Sequence, residues 1–247
     1  MIPSCGSIAV CYSYRKGGGK TGADGRPFFF RMRVIMDKKT IRRSCADCGA
    51  ANCNMMDKAY PDFCVGETLD EEWFSGVVKL YEEEENFKIA SVAAGVESDY
   101  YCQMTRVQET IEFAKRIGAK KIGIATCVGL IKETRILTGL LRENGFEVFG
   151  VGCKCGTVRK VDIGIDKKCE NTGLNICNPI LQAKLLNEEK TDLNIVMGLC
   201  VGHDSLFYKY AEGITTTLVV KDRVLMHNPA AALYGADGYY KKKLHGE

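Results

Sequence analysis

The stretch CADCGAANCNMMDKAYPDFC sets Cys45, Cys48, Cys53 and Cys64 in the spacing C-x2-C-x4-C-x10-C. A C-x2-C opening can present two thiolates to one ion from a single turn. Four thiolates in so short a segment satisfy a tetrahedral zinc or a four-iron cluster equally well. The closing spacing matches neither a common zinc ribbon nor a ferredoxin run, so the metal stays open. Met55, Met56, Tyr60, Pro61 and Phe63 are available to pack around the group. The expectation is one compact metal site, structural or electron-transferring, that closes without help from the rest of the chain.

A second set is scattered. Cys127, Cys153 and Cys200 each end a short apolar run, and Cys177 stands two residues before the helix-starting Pro179. ATCVGLIKE and GLCVGHDSL both put Cys-Val-Gly between an apolar run and a helical one. Gly lets backbone approach a bound group, and the N–H groups that open a helix stabilise a thiolate. His203 follows Cys200 by three residues and His227 stands in KDRVLMHNPAAALY. Both are candidate proton donors or substrate ligands, set against the plainer reading of a hydrogen-bonded structural histidine. Lys221 and Arg223 are candidates to meet an anionic substrate. Cys102 is a fifth ligand or a buried thiol, and Cys155 competes with Cys153 for the same role. Cys5, Cys11 and Cys169 are read as small buried hydrophobes.

These residues need a frame. KKIGIATC, FEVFGVGC, LNIVMGLC and TTTLVVK read as strands; LIKETRILTGLLRENG, NPILQAKLLNEEK and SLFYKYAEG read as helices between them. Such alternation predicts an α/β fold, a Rossmann-like parallel-sheet core with flanking helices. Ligands of such a sheet collect beyond the carboxyl ends of its strands. Cys127, Cys153 and Cys200 end three strands there, and Cys177 precedes a helix that starts at the same edge. Two helical stretches lead in, one from Asp70 and one over YYCQMTRVQETIEFAKRIG with Val107, Ile111 and Ala114 on one face. The expected organisation is an extension over 1–43, a four-cysteine segment over 44–69 and the α/β domain over 70–247.

Composition narrows the function classes. Thirteen cysteines, an odd number, in a chain with no secretory start favour metal ligation or thiol chemistry over disulfides, in a cytoplasmic protein. With 34 basic and 31 acidic residues interspersed, the net charge of +3 makes no case for nucleic acid. No apolar run is long enough for a membrane span. GGGKTG fails as a phosphate loop, because Tyr14 stands where the pattern needs Gly and an aromatic run follows instead of a helix. No G-x-G-x-x-G opens the first helix of the alternating region, which sets a nicotinamide cofactor aside.

The strings CADCGAANC, CQMTRVQETIEFAKRIGAKKIGIATCVGL, CNPILQAKLLNEEKTDLNIVMGLCVGHDSLF and VVKDRVLMHNPAAALY together resemble the DUF1847 family of cysteine-rich bacterial and archaeal metal-binding proteins, over roughly residues 44–240. The resemblance implies metal binding through cysteines, carries no established reaction, and favours Cys102, Cys127, Cys153, Cys177, Cys200, His203 and His227 as motif positions. Cys155 and residues 1–43 lie outside the pattern.

The functional expectation is a cysteine-ligated metal protein with an iron–sulfur cluster at the sheet edge, held by Cys127, Cys153, Cys177 and Cys200 with Cys102 nearby, acting in redox or sulfur-transfer chemistry on an unidentified small molecule or redox partner. The rival is a non-enzymatic, zinc-stabilised interaction or metal-sensing module. An open cleft beside Cys200 and His203 favours the first reading, and a closed apolar edge favours the second. A thiol redox protein working through Cys153 and Cys155 ranks third.

Overall fold

The computed structural model describes residues 42–246. Cys5, Cys11, the GGGKTG stretch and almost all of the expected 1–43 extension lie outside them. The chain divides into two compact units at Leu69 and Asp70.

The first unit, over 42–69, consists of short turns. Ser44 and Asp47 form a reciprocal capping box around a 3-10 turn over Cys45–Asp47. Asn52, only 3 % exposed, closes the next loop by donating to the Lys58 carbonyl at 2.6 Å and accepting from the Lys58 N–H at 2.8 Å. The Arg43 guanidinium lies 4.0 Å over the Phe63 ring and pairs with Asp62 at 2.8 Å.

The second unit opens with α1 (Glu71–Lys79), capped by the Asp70 carboxylate on the Trp73 N–H. The helical stretch expected from Asp70 is broken. Glu83 is extended between α1 and α2 (Glu84–Tyr100), inside a run of four glutamates whose mutual repulsion opposes a continuous helix. α3 (Arg106–Arg116) starts later than its sequence pattern, at the Thr105–Gln108 capping box. It stops before Gly118, at φ +75°.

The alternating region then builds β1 (Lys121–Thr126), α4 (Ile131–Glu143), β2 (Glu147–Gly152), α5 (Pro179–Glu188), β3 (Leu193–Met197), α6 (His203–Tyr210) and β4 (Thr215–Val219), followed by the short α7 (Ala230–Tyr234) and α8 (Lys241–His245). The four strands are all parallel, in the order β2-β1-β3-β4. The fold is the parallel-sheet α/β arrangement expected from the sequence.

Period-two alternation assigns the two faces. Ile122, Ile124, Leu193, Ile195 and Met197 pack with Ala114 of α3 and with Leu137 and Leu141 of α4. On the opposite face Ala125, Val151 and Val196 meet Ala183 and Leu186 of α5 and Phe207 of α6. Each fully buried aliphatic side chain contributes about 1.5–3 kcal/mol. Gly123 is required where α5 crosses the sheet, since a Cβ there would stand 2.4 Å from the Asn194 Oδ1. Among the described residues no helix is long and apolar enough to cross a membrane.

One boundary shapes the functional edge. β3 ends at Met197, short of the expected Cys200, because Gly198 turns left-handed at φ +68°. A Cβ at Gly198 would lie 2.0 Å from Leu130 Cδ1, so only glycine admits this turn.

Candidate functional site

Backbone hydrogen bonds carry the strand register past the strand ends and fix two cysteines there. The Cys127 N–H donates to the Met197 carbonyl at 3.0 Å, and the Cys153 N–H donates to the Thr126 carbonyl at 2.8 Å. Cys177 arrives from a different direction, at the start of α5. The Asn178 N–H donates to the Cys153 carbonyl at 2.7 Å, and the Asn178 side chain caps α5 at the Leu181 N–H. Cys200 lies just before α6, where its carbonyl accepts from the N–H groups of His203 and Asp204. Cys127, Cys153, Cys177, Cys200 and His203 thus line one cavity of about 510 Å³.

Within that cavity Cys153 is buried and interacts with both Cys127 and Cys177, and Cys177 interacts in turn with His203. A single S–H proton on Cys153 can serve only one of its two sulfur neighbours at a time. The thiol of Cys153 is pushed far up by Cys127 and Cys177, reinforced by burial. Cys127 is pulled below the ordinary thiol range, first by Cys153 and then by the Gly129 N–H and the Lys221 ammonium. Cys177 is pulled down by Cys153 and His203, and His203 is raised by Cys177. The Val128 N–H also points at the Cys153 sulfur, at 3.4 Å. The thiolate form is therefore favoured at Cys127 and Cys177, while Cys153 between them keeps its proton. The Nδ1 of His203 is buried without a hydrogen-bond partner, which suits an additional ligand or proton.

One further residue and one segment hold this arrangement and carry no signal in the sequence. Gln182, 0 % exposed, donates from Nε2 to the carbonyls of Thr126 at 3.1 Å and Val151 at 2.7 Å, tying together the strand ends that present Cys127 and Cys153. In a strand–helix pattern it reads as an ordinary polar position of α5. The excursion between β2 and α5 is the second. It is braced by the Arg159–Asn175 bridge and by the Lys154 Nζ on the Asn175 carbonyl, and it supplies Ile163, Ile165 and Ile176 to the cavity wall. Its own turns have no hydrophobic period to betray that role.

Other sequence expectations fare differently. Cys102 is exposed at φ +57° after α2 and lines a separate cavity with Arg106 and Thr216, near the amino end of β4. The α2–α3 connection reaches the edge of the sheet opposite to the cysteines, so Cys102 is not brought to the cavity. His227 does not line it either. Its Nδ1 accepts from the Asp222 N–H at 3.1 Å, and its own N–H donates to the Asp222 carbonyl at 3.0 Å. His227 is a turn-closing residue that holds the loop carrying Lys221 and Arg223. Cys155 is exposed, and Cys169 is half-buried with its carbonyl bonded by Lys160.

In the four-cysteine segment the expected packing of the methionines is not found. Cys45 and Cys53 are exposed, Cys48 and Cys64 half-buried, and Met55 and Met56 are 69 % and 76 % exposed instead of packed around a site. The polar and cation–π contacts of Asn52 and Arg43, not an apolar centre, organise this unit. Among the described residues no three Cys, His, Asp or Glu side chains converge on a point the size of one ion. At the sheet edge the thiols come from separate loops on either side of Cys153, a soft donor set of the kind that zinc and iron–sulfur clusters both use.

Comparison with known proteins adds the following. The family model described as "Protein of unknown function (DUF1847)" matches residues 64–218. An uncharacterised protein of Methanocaldococcus jannaschii is 49 % identical over 168 residues, 68 % of this chain and 86 % of that one. The crystal structure of Dph2 from Pyrococcus horikoshii with a 4Fe-4S cluster matches 55 % of this chain and 32 % of its own, at a TM-score of 0.31 and 25 % identity. The chain spans about a third of that protein's length. With the family model matching well over half of its length, and with a relative of this identity covering most of both chains, the chain belongs to the DUF1847 family.

Proposed function

We propose that Cys127, Cys153, Cys177 and Cys200 hold an iron–sulfur cluster at the carboxyl edge of the sheet, and that the adjoining cavity is where redox or sulfur-transfer chemistry takes place. The observation that carries this reading is the position of Cys153 between Cys127 and Cys177, on the wall of a cavity that also holds Cys200 and His203. A bound cluster would supply electrons or sulfur. The chain's own residues would do the rest. The Val128 and Gly129 N–H groups and the Lys221 ammonium favour the ligating thiolates, and Gln182 fixes two of the strand ends that present them. His203, on the cavity wall, has its protonated form favoured by Cys177.

An open cavity is the feature by which an enzyme differs from a zinc-stabilised interaction module, and it supports the enzyme. All the described cysteines are free thiols, which suits a reducing interior such as the cytoplasm. Anaerobic reconstitution with ferrous iron and sulfide tests the reading. Saturable growth of a visible charge-transfer band in the wild type, and its loss in Cys153→Ser, is expected. A band of equal size in Cys153→Ser would overturn the assignment.

A further inference from the structure

The cavity beside the cysteines is lined by four cations, Lys154, Lys160, Lys221 and Arg223, and by no Asp or Glu. Two of the four are already engaged by the wall. Lys154 donates to the Asn175 carbonyl at 2.5 Å, and Lys160 donates to the Cys169 carbonyl and to the Thr172 hydroxyl. Lys221 and Arg223 make their contacts with sulfur instead, at Cys127 and Cys200. Among the described residues neither pairs with a carboxylate. The acid between them, Asp222, accepts from the N–H groups of Val224 and Leu225, both at 2.8 Å, and so is spent on its own turn. Arg223 uses one N–H on the Cys200 sulfur at 2.9 Å, which leaves most of its five donors free. The His227 contacts to Asp222 hold both cations in place.

The opposite wall is apolar. Ile163 and Ile165 of the excursion line the cavity while 56 % and 38 % exposed, with Ile176 beside them. Cations that no carboxylate pairs, facing uncovered aliphatic side chains, are complementary to a molecule that is charged at one end only. A volume of about 510 Å³ lies in the range of small-ligand sites.

We propose that this cavity binds a small organic anion, its carboxylate or phosphate head between Lys221 and Arg223 and its apolar body against Ile163, Ile165 and Ile176. The proposal deepens the reading of the sheet edge as the functional site and rests on it. The head lies beside Cys200, in the cavity that His203 also lines and where a cluster on the neighbouring sulfurs would act. The cavity lining offers no Phe, Tyr or Trp ring on which a base could stack, and its one imidazole, His203, is turned to Cys177, which makes an aliphatic or simple aryl body a better fit than a nucleobase.

Calorimetric titration of the full chain, purified anaerobically, tests this with three probes: inorganic phosphate, phenyl phosphate and hexanoate. At least one organic probe should bind about tenfold more tightly than inorganic phosphate, the apolar wall supplying the difference. Phenyl phosphate as the better probe assigns a phosphate head, and hexanoate a carboxylate. Arg223→Met and Lys221→Met, compared at equal iron per chain, should each weaken that probe about tenfold, the loss of one charge-assisted contact. Ile165→Asp should weaken the organic probe more than inorganic phosphate. Absence of saturable binding, inorganic phosphate binding as tightly as both organic probes, or cation variants that bind like the wild type would overturn the proposal. Should the Met variants not fold, the comparison of probes on the wild type decides. Iron is measured on the same samples. Iron-free protein that binds the organic probe refutes the cluster alone, and iron-loaded protein that binds none refutes the anion site alone.

Discussion

The Asn178 N–H donates to the Cys153 carbonyl at 2.7 Å, so Cys177 is held beside Cys153 although the whole β2–α5 excursion separates them in sequence. This bond joins the end of a strand to the start of a helix and brings together sulfurs that neither element alone would pair. Four expectations follow from the way the edge is built.

In the metal-free, reduced protein Cys177 is held below the ordinary thiol range by Cys153 and His203, so it stays a thiolate as pH falls where ordinary thiols protonate. Alkylation needs the thiolate. At pH 7 a haloacetamide should modify Cys177 faster than Cys155, with Cys153 slowest because its thiol is pushed up. Peptide mapping of the labelled sites over time checks the order. Equal labelling of all three would contradict it.

Gln182→Leu leaves the Thr126 and Val151 carbonyls without their buried donor. An unsatisfied buried polar group costs about 1–3 kcal/mol. The urea midpoint should fall accordingly, and iron incorporation should fall with it, because the strand ends that present Cys127 and Cys153 are no longer tied. A variant as stable as the wild type would remove Gln182 from the account.

Gly198→Ala places a Cβ 2.0 Å from Leu130 Cδ1 at a backbone φ of +68°. Leu130 is buried and cannot swing away freely. A loss of about 1–3 kcal/mol in urea unfolding is expected, the usual cost of combined strain and overpacking. Gly139→Ala, where nothing lies within 4 Å of the added Cβ, is the control and should be neutral or slightly stabilising.

His227→Ala should lower organic-anion binding while leaving iron content near that of the wild type. Its ring holds Asp222, and through it Lys221 and Arg223, without lining the cavity. Equal loss of iron and anion binding would make His227 a participant in the metal site instead.

The fold and the gathering of four cysteines on one cavity were legible for the same reason. Short apolar runs such as KKIGIATC alternate with amphipathic stretches, and parallel strands all present their carboxyl ends at one edge. Counting which cysteines stand at those ends therefore located Cys127, Cys153, Cys177 and Cys200 together. Gln182 was not legible, because its role depends on two carbonyls distant in sequence. His227 misled, since its ring nitrogen serves the backbone of its own turn and not the cavity. Cys102 misled through its neighbourhood: a helical stretch gives no sign of which edge of the sheet its end will reach. The C-x2-C spacing of Cys45 and Cys48 describes what two thiols can reach, while Asn52 and Arg43 govern how that unit is arranged.

Iron and acid-labile sulfide, measured on anaerobically purified full-length protein and on Cys177→Ser and Cys45→Ser, test the central claim most directly. The account predicts iron and sulfide in near-equal amounts in the wild type, most of both lost in Cys177→Ser, and both retained in Cys45→Ser. Zinc without sulfide in the wild type, or a Cys177→Ser protein that keeps its iron and sulfide, would contradict it.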